Sequence, residues 1–154
     1  MSPGRVVGLQ RSGGGVPKLV VDRAEVHLAG MVGDWQRDRR YHGGPDRALC
    51  LYSSDLIAAL QAEGHQVFAG SVGENVTIAG VEWVAMKPGA RLMIGQAELE
   101  VTDFAAPCRT IASSFAGGRF QRISEKLHPG WSRVYVRVLR AGEVAVGDDV
   151  RLSP

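Results

Sequence analysis

The stretch RLMIGQAELEV, residues 91–101, predicts a β-hairpin and with it the class of the fold. In its second half Leu99 and Val101 alternate with two glutamates, which is the pattern of a strand with one buried face. Gly95 opens a two-residue loop between the halves, and glycine in that place suits a type II′ turn. The segment therefore predicts two antiparallel strands joined by a tight turn.

Short apolar or alternating stretches recur on both sides of this hairpin. They predict further strands at Val6–Leu9, Lys18–Val21, Ala48–Tyr52, Arg133–Val138 and Val150–Leu152. Helical patterns are few. The residues Ser53-Ser54-Asp55 predict a helix that ends at Gly64, and short helices are predicted over 109–115 and 120–127. Many short strands with few helices predict a mainly β, barrel-like fold with a few short peripheral α-helices.

Composition limits the classes of function that the chain can serve. Its 154 residues, 45% hydrophobic and 22% charged, fit one compact domain, residues 1–154. A net charge of +2 without long runs of like charge gives no sign of a nucleic-acid or membrane surface. With 6% aromatic residues, stacking platforms for single-stranded nucleic acid are also not expected. Two cysteines, too few for a disulfide scaffold, and no visible targeting segment predict a cytoplasmic protein. We also expect a monomer or a homodimer.

The segment FAAPCRTI, residues 104–111, has an unusual cysteine. Pro107 prevents Cys108 from belonging to a regular central strand, and the adjacent Arg109 favours a thiolate, as would the start of a helix at this point. The alternative is a small buried core residue, because most lone cysteines are of that kind. Cys50, inside an apolar strand, is expected to be plain core.

The segment YHGGPDR, residues 41–47, allows two interpretations. Its two glycines let the backbone turn sharply and present bare amides, and His42 and Arg47 add donors for a phosphate or another anion. The alternative is an ordinary turn into the next strand, capped by Asp46.

Two further segments allow both a structural and a functional interpretation. Residues 73–77 read as a turn, although a buried Asn75 could also recognise the donor and acceptor edges of a heterocycle. By strand alternation Arg133, Tyr135 and Arg137 share one face, as a solvated edge or as the lining of an anionic ligand. The four histidines and two cysteines have no zinc-like spacing, and no lysine stands in a pattern typical of a pyridoxal phosphate site.

Taken in order, these segments resemble the MOSC domain, which is the C-terminal domain of molybdenum cofactor sulfurases and also occurs as small stand-alone bacterial proteins. The matching segments are Gly15–Lys18, Gly30–Asp34, His42–Ala48, Gly73–Thr77, Gly89–Gly95, Leu99–Thr102, Pro107-Cys108, Tyr135–Val138, Gly142–Val144 and Gly147–Val150. The chain departs from the family at two points. Many relatives have glycine at the position of Arg133 or Val134, and relatives often have arginine at that of Trp35.

The resemblance implies a molybdenum cofactor (molybdopterin) and no pyridoxal phosphate. It implies that Cys108 ligates molybdenum or carries sulfur, and that the enzyme reduces N-hydroxylated compounds such as hydroxylamino bases with electrons from a separate donor protein. The alternative that it leaves open is a non-catalytic carrier of sulfur or cofactor. The residues implied in cofactor binding are Lys18, His42, Gly43, Gly44, Arg47, Asn75, Arg109, Thr110, Tyr135 and Arg137.

Overall fold

The computed structural model describes residues 3–12, 16, 19–33 and 45–154. Within these residues the chain forms eleven strands and one α-helix, joined by short 3-10 helices. The elements are β1 (Gly4–Arg11), β2 (Leu19–Val21), β3 (Arg23–His27), β4 (Gly30–Met31), β5 (Leu49–Ser53), α1 (Ser54–Ala62), β6 (Val76–Ala79), β7 (Arg91–Ile94), β8 (Ala97–Ala105), β9 (Arg133–Arg140), β10 (Gly142–Ala145) and β11 (Asp149–Leu152).

Seven of these strands close into a barrel. Their order is β11-β7-β8-β9-β5-β6-β1, and β1 closes the ring by pairing with β11. The pair β5–β6 is parallel, so its connection must cross over, and α1 supplies that crossover. β2 lies against β1, while β10, β3 and β4 form a separate three-stranded sheet. The predicted mainly β, barrel-like fold is confirmed.

A ring of apolar side chains fills the barrel. Residues that face each other across neighbouring strands point to the same side, and the buried pairs follow one another around the ring. These pairs are Val76–Leu51, Leu51–Val134, Leu49–Val136, Val136–Val101, Leu99–Leu92 and Ile94–Val150. Full burial of one such side chain stabilises the fold by about 1.5–3 kcal/mol.

The predicted hairpin forms as expected, with its second strand continuing to Ala105. Gly95 has φ +54°, and a Cβ there would lie 2.4 Å from Asp148 Oδ2 and 2.9 Å from the Glu143 carbonyl oxygen. Among the described residues only glycines have positive φ, so Gln96 has negative φ, which fits a type II′ turn and not type I′. The tight contact with Asp148 and Glu143 therefore requires glycine at this turn.

Four strands were missed by the sequence patterns: β3, β4, β6 and β10. In β3 only Ala24 and Val26 face inward, between three charged or polar residues, so its apolar signal is weak. β6 begins inside the segment 73–77 that reads as a turn, so its first two residues were assigned to the turn. Its four residues are buried or nearly so, and the strand therefore lacks the alternation that would mark it in the sequence.

The predicted helix after Ser53 is confirmed as α1, whose first turn is capped by Ser53 Oγ accepting from the Leu56 amide at 3.1 Å. The other two predicted helices are 3-10 helices, Arg109–Ser114 and Phe120–Ile123. Each is too short to gain from regular i→i+4 bonding, so the tighter 3-10 turn replaces it. No helix in the described part of the chain is long and apolar enough to cross a membrane.

The Ser53 cap makes a testable prediction. Replacing Ser53 with Ala removes the acceptor for the Leu56 amide, and we expect the free energy of unfolding to fall by about 1 kcal/mol. The matched control is Ser54→Ala, which lies inside the helix and leaves the cap intact. Chemical denaturation monitored by circular dichroism measures both. Equal stability of the two variants would contradict the capping role.

Candidate functional site

Cys108 lies on an exposed turn just outside the barrel. β8 ends at Ala105, Pro107 follows, and Cys108 has an extended backbone, φ −141° and ψ 175°, immediately before the 3-10 helix. Neither cysteine is in a disulfide; Cys108 is exposed, whereas Cys50 is buried in β5. The predicted exit of Cys108 from the sheet and burial of Cys50 are therefore observed. A helix does start at this point, with Cys108 at its N-cap, and it is a 3-10 helix of six residues.

Tyr135 occupies the outer face of the barrel next to this turn. It pairs in register with Cys50 across β5 and β9, and with Ala105 the two form a small buried cluster separate from the main core. Burial raises the pKa of the Tyr135 hydroxyl well above its ordinary value. The thiols of Cys50 and Cys108 act on this pKa in the same direction, and Arg133 opposes them. The phenol therefore keeps its proton at neutral pH.

Arg47 covers the ring of Tyr135. Its guanidinium carbon lies 5.0 Å from the ring centroid, and Nη2 lies 3.8 Å from Asp103 Oδ2. The position of Arg47 depends on a bulge in β8 between Val101 and Asp103. There the hydroxyl of Thr102 hydrogen-bonds to the Asp46 carbonyl and lies 3.3 Å from the Tyr135 carbonyl oxygen. The bulge thus fastens the Arg47 segment to the strand that carries Tyr135.

Arg133 is buried beneath the Cys108 turn, with 5% of its surface exposed. Its Nη1 donates to the Val72 carbonyl at 2.6 Å, and Nη2 lies 3.3 Å from the carbonyl oxygens of Ala105 and Ala106. Nε has no partner among the described residues. The solvated edge considered for this face of β9 is wrong, because β9 lies in the middle of the sheet, between β8 and β5.

Asn75 is fully buried, and the protein backbone uses both ends of its amide. Oδ1 accepts from the Cys50 amide at 3.0 Å, and Nδ2 lies 3.4 Å from the Gln10 carbonyl oxygen. The backbone of Asn75 bonds the same two residues. Its N–H donates to the Cys50 carbonyl, and its carbonyl accepts from the Gln10 N–H. Asn75 therefore joins β1 and β5 at the start of β6, and it acts on the site by holding Cys50 beside Tyr135.

Glu74 is a fully buried carboxyl two residues before β6, next to Asn75. Thr77 Oγ1 lies 3.1 Å from Oε2, while Oε1 has no partner among the described residues. Its burial raises the pKa of this carboxyl above the ordinary value, against the opposing hydrogen bonds and the charge of Arg133. Such a group binds its proton more tightly in the folded chain than in the unfolded chain.

The remaining predicted site residues lie in different surroundings. Arg109 and Thr110 are exposed beside Cys108. Arg137 is half-exposed and takes part in ion pairs, with Nη2 3.6 Å from Asp46 Oδ1 and Nε 3.4 Å from Glu100 Oε1. Lys18, His42, Gly43 and Gly44 lie outside the described residues.

Two contributors were missed by the sequence reasoning. Alternation placed Arg133 on the face of Tyr135, but nothing in the pattern signals that its charge is buried against backbone carbonyls. Thr102 gave no signal, because a bulge in β8 depends on the pairing of two strands far apart in sequence.

Comparison with known proteins identifies a matching family. The family model described as the MOSC domain matches residues 38–151. The chain is 29% identical over 121 residues to the uncharacterized protein YflK of Bacillus subtilis (strain 168), covering 78% of this chain and 54% of that protein. It is 35% identical over 99 residues to protein YiiM of Escherichia coli (strain K12), covering 60% of this chain and 44% of that protein. The chain thus spans about half the length of these two relatives.

A solved structure shares the fold. The crystal structure of YiiM from Geobacillus stearothermophilus superposes with a TM-score of 0.74 at 22% identity, covering 99% of this chain and 76% of that one. At this identity the similarity concerns the fold, and it agrees with the barrel described above.

The buried amide of Asn75 makes a prediction about stability. Asn75→Ala leaves the Cys50 amide without its side-chain acceptor and the Gln10 carbonyl without its side-chain donor, and each lost partner costs about 1–3 kcal/mol. We expect the free energy of unfolding to fall by about 2–5 kcal/mol. The control is the exposed amide of Gln96, for which Gln96→Ala should change stability by less than about 0.5 kcal/mol. Urea denaturation distinguishes the two, and similar small losses would contradict the role of Asn75.

The raised pKa of Glu74 makes a prediction about pH. The folded chain holds this proton above the ordinary pKa of 4.5, so the stabilisation is complete below that pH and is lost as the pH rises through the folded value. The free energy of unfolding of wild type relative to Glu74→Gln should therefore fall as pH rises above about 4.5. Denaturation of both proteins across this range measures the difference. A difference that rises with pH would show that the carboxylate is stabilised instead.

Proposed function

The chain belongs to the MOSC domain family, and from that premise we propose that it binds the molybdenum cofactor and reduces N-hydroxylated compounds. The observation that carries the proposal is one exposed thiol, Cys108, beside a buried, protonated phenol, Tyr135, with the cation of Arg47 over its ring. Hydroxylamino bases are the substrate class that we expect.

The residues present fit such a group by the chemistry of their donors. Within residues 3–12, 16, 19–33 and 45–154 no three His, Cys, Asp or Glu side chains converge as a chelating metal site. The proposed cofactor has dithiolene sulfurs of its own, so a single protein thiolate is a sufficient further ligand. Thiolate is also a soft ligand, of the kind that Cys108 offers.

Each residue of the site then has a defined task. Cys108 would ligate molybdenum, and Arg47 would bring positive charge to the anionic cofactor. Arg109, Thr110, Arg137, Lys18 and the segment His42-Gly43-Gly44 would contribute further contacts to its phosphate or pterin. Asn75 would act through Cys50 by fixing the strand beneath Tyr135.

The reaction balances with one external donor. When bound, the cofactor supplies two-electron oxygen-removal chemistry. Reduction of an N–OH group to N–H consumes two electrons and two protons and releases water, and the electrons come from a separate donor protein. Burial raises the pKa of the Tyr135 hydroxyl, so Tyr135 stays neutral at pH 7 and adds no negative charge beside the anionic cofactor. We place this chemistry in a reducing cytoplasm, which fits two cysteines that form no disulfide.

A second candidate function rests on the exposure of Cys108. A thiol on an exposed turn can also hold a persulfide or present a bound cofactor to a partner protein, without catalysis in this chain. Intact-mass detection of a persulfide that is lost in Cys108→Ala, without reductase turnover, would favour this carrier.

The reductase proposal is tested with the two cysteines. Cys108→Ala, made in a host with verified cofactor supply, should lose its molybdenum, and reduction of a hydroxylamino purine by an artificial electron donor should fall more than about tenfold, or about 1.4 kcal/mol. Cys50→Ala removes the buried thiol and serves as the matched control, with molybdenum retained.

Two results would count against the proposal. Wild type without molybdenum, although the host supplies the cofactor, would remove the cofactor from the function. Equal turnover of wild type and Cys108→Ala would remove Cys108 from the mechanism.

A further inference from the structure

We propose that Arg133 is a positioning residue for Cys108, fixing the turn that carries the thiol to the connection between α1 and β6, residues 63–75. The inference rests on the proposed function only in taking Cys108 as the working thiol. The contacts themselves belong to the protein without cofactor.

The guanidinium joins two segments that are far apart in sequence. Its Nη1 bonds the carbonyl of Val72 at 2.6 Å, and its Nη2 lies 3.3 Å from the carbonyl oxygens of Ala105 and Ala106. Ala106 precedes Cys108 by two residues, and the proline between them has no N–H to donate. Ser132 Oγ also lies 3.3 Å from the Ala105 carbonyl oxygen, so two side chains anchor the end of β8. Of the two, Arg133 is the one that reaches Ala106 and also bonds Val72.

The far end of the turn is held to the same neighbouring segment by other means. The Gln66 amide donates to the Ser114 carbonyl at 2.9 Å, and the Ala116 amide bonds His65 Nδ1 at 3.0 Å. Between these two anchors Ile111 packs into the core, whereas Cys108, Arg109 and Thr110 are exposed, so core packing holds the helix after the thiol and not the residues next to it. Its distance from Tyr135 thus depends on the anchor that Arg133 provides.

Geometry, rather than charge alone, carries this role. A planar guanidinium can donate to several carbonyls in fixed directions, while an ammonium on a lysine stem cannot reproduce that fork. Arg133→Lys therefore keeps the positive charge next to Glu74 and Tyr135 and removes the geometry. The comparison separates a positioning effect from an electrostatic one.

Hydrogen exchange of the protein without cofactor tests the inference. The reporter is the Ile111 amide, which bonds the Cys108 carbonyl at 3.2 Å. In Arg133→Lys we expect exchange at this amide to rise at least about tenfold at temperatures well below unfolding. Arg140→Lys, an exposed arginine on the same strand, should exchange like wild type.

A second control separates local from global loosening. Val150→Ala leaves a cavity in the core at β11, which lies across the barrel from β9. The variant therefore lowers the unfolding temperature without touching the Cys108 turn. At conditions where Val150→Ala and Arg133→Lys have the same free energy of unfolding, the Ile111 amide of Val150→Ala should exchange near the wild-type rate.

Three outcomes would overturn the proposal. The first is Ile111 exchange in Arg133→Lys that equals wild type, and the second is exchange that rises no more than in Val150→Ala. The third is failure of both Arg133→Lys and Arg133→Gln to fold, which would make Arg133 a requirement of the barrel instead of the turn. Because this test uses protein without cofactor, its failure is distinct from loss of molybdenum binding, which would contradict the proposed function alone.

Discussion

A chain that leaves a buried sheet still has backbone N–H and C=O groups that need partners, and this constraint shapes the whole site. Two buried side chains supply hydrogen-bond partners for these backbone groups. Asn75 serves the amide of Cys50 and the carbonyl of Gln10, and Arg133 serves the carbonyls at the end of β8 together with that of Val72. Each bond joins segments that are distant in sequence, so the ends of the strands stay fixed where the functional groups lie.

The central strand β9 explains why these groups meet. Its inward valines fill the barrel. On its outward side Arg133 is covered by Val72 and the end of β8, and Tyr135 by Arg47 from the segment before β5. At these two positions both faces of the strand are covered, and a cation and a phenol are buried there. Burial then keeps Tyr135 protonated, and the exposed thiol of Cys108 lies at the border of this dry region. An exposed thiol and a buried phenol therefore lie next to each other.

Much of the fold could be predicted from the sequence, because alternation in β8 and β9 and the glycine at residue 95 are local signals. The exit of Cys108 from the sheet was also predictable, since Pro107 forbids a regular strand. The burial of Arg133 was not, because its partners are carbonyls brought together only by the closed barrel. For the same reason Asn75 suggested a ligand contact, whereas its amide bonds two strands.

The central claim is that the anchored turn presents Cys108 as the protein's ligand to molybdenum. The most direct test is a crystal structure of protein made in a cofactor-competent host, with anomalous diffraction measured on both sides of the molybdenum absorption edge. The account predicts a molybdenum peak within bonding distance of Cys108 Sγ, on the side of the turn that faces Tyr135. A molybdenum peak bound elsewhere on the protein, with Cys108 free, would contradict it.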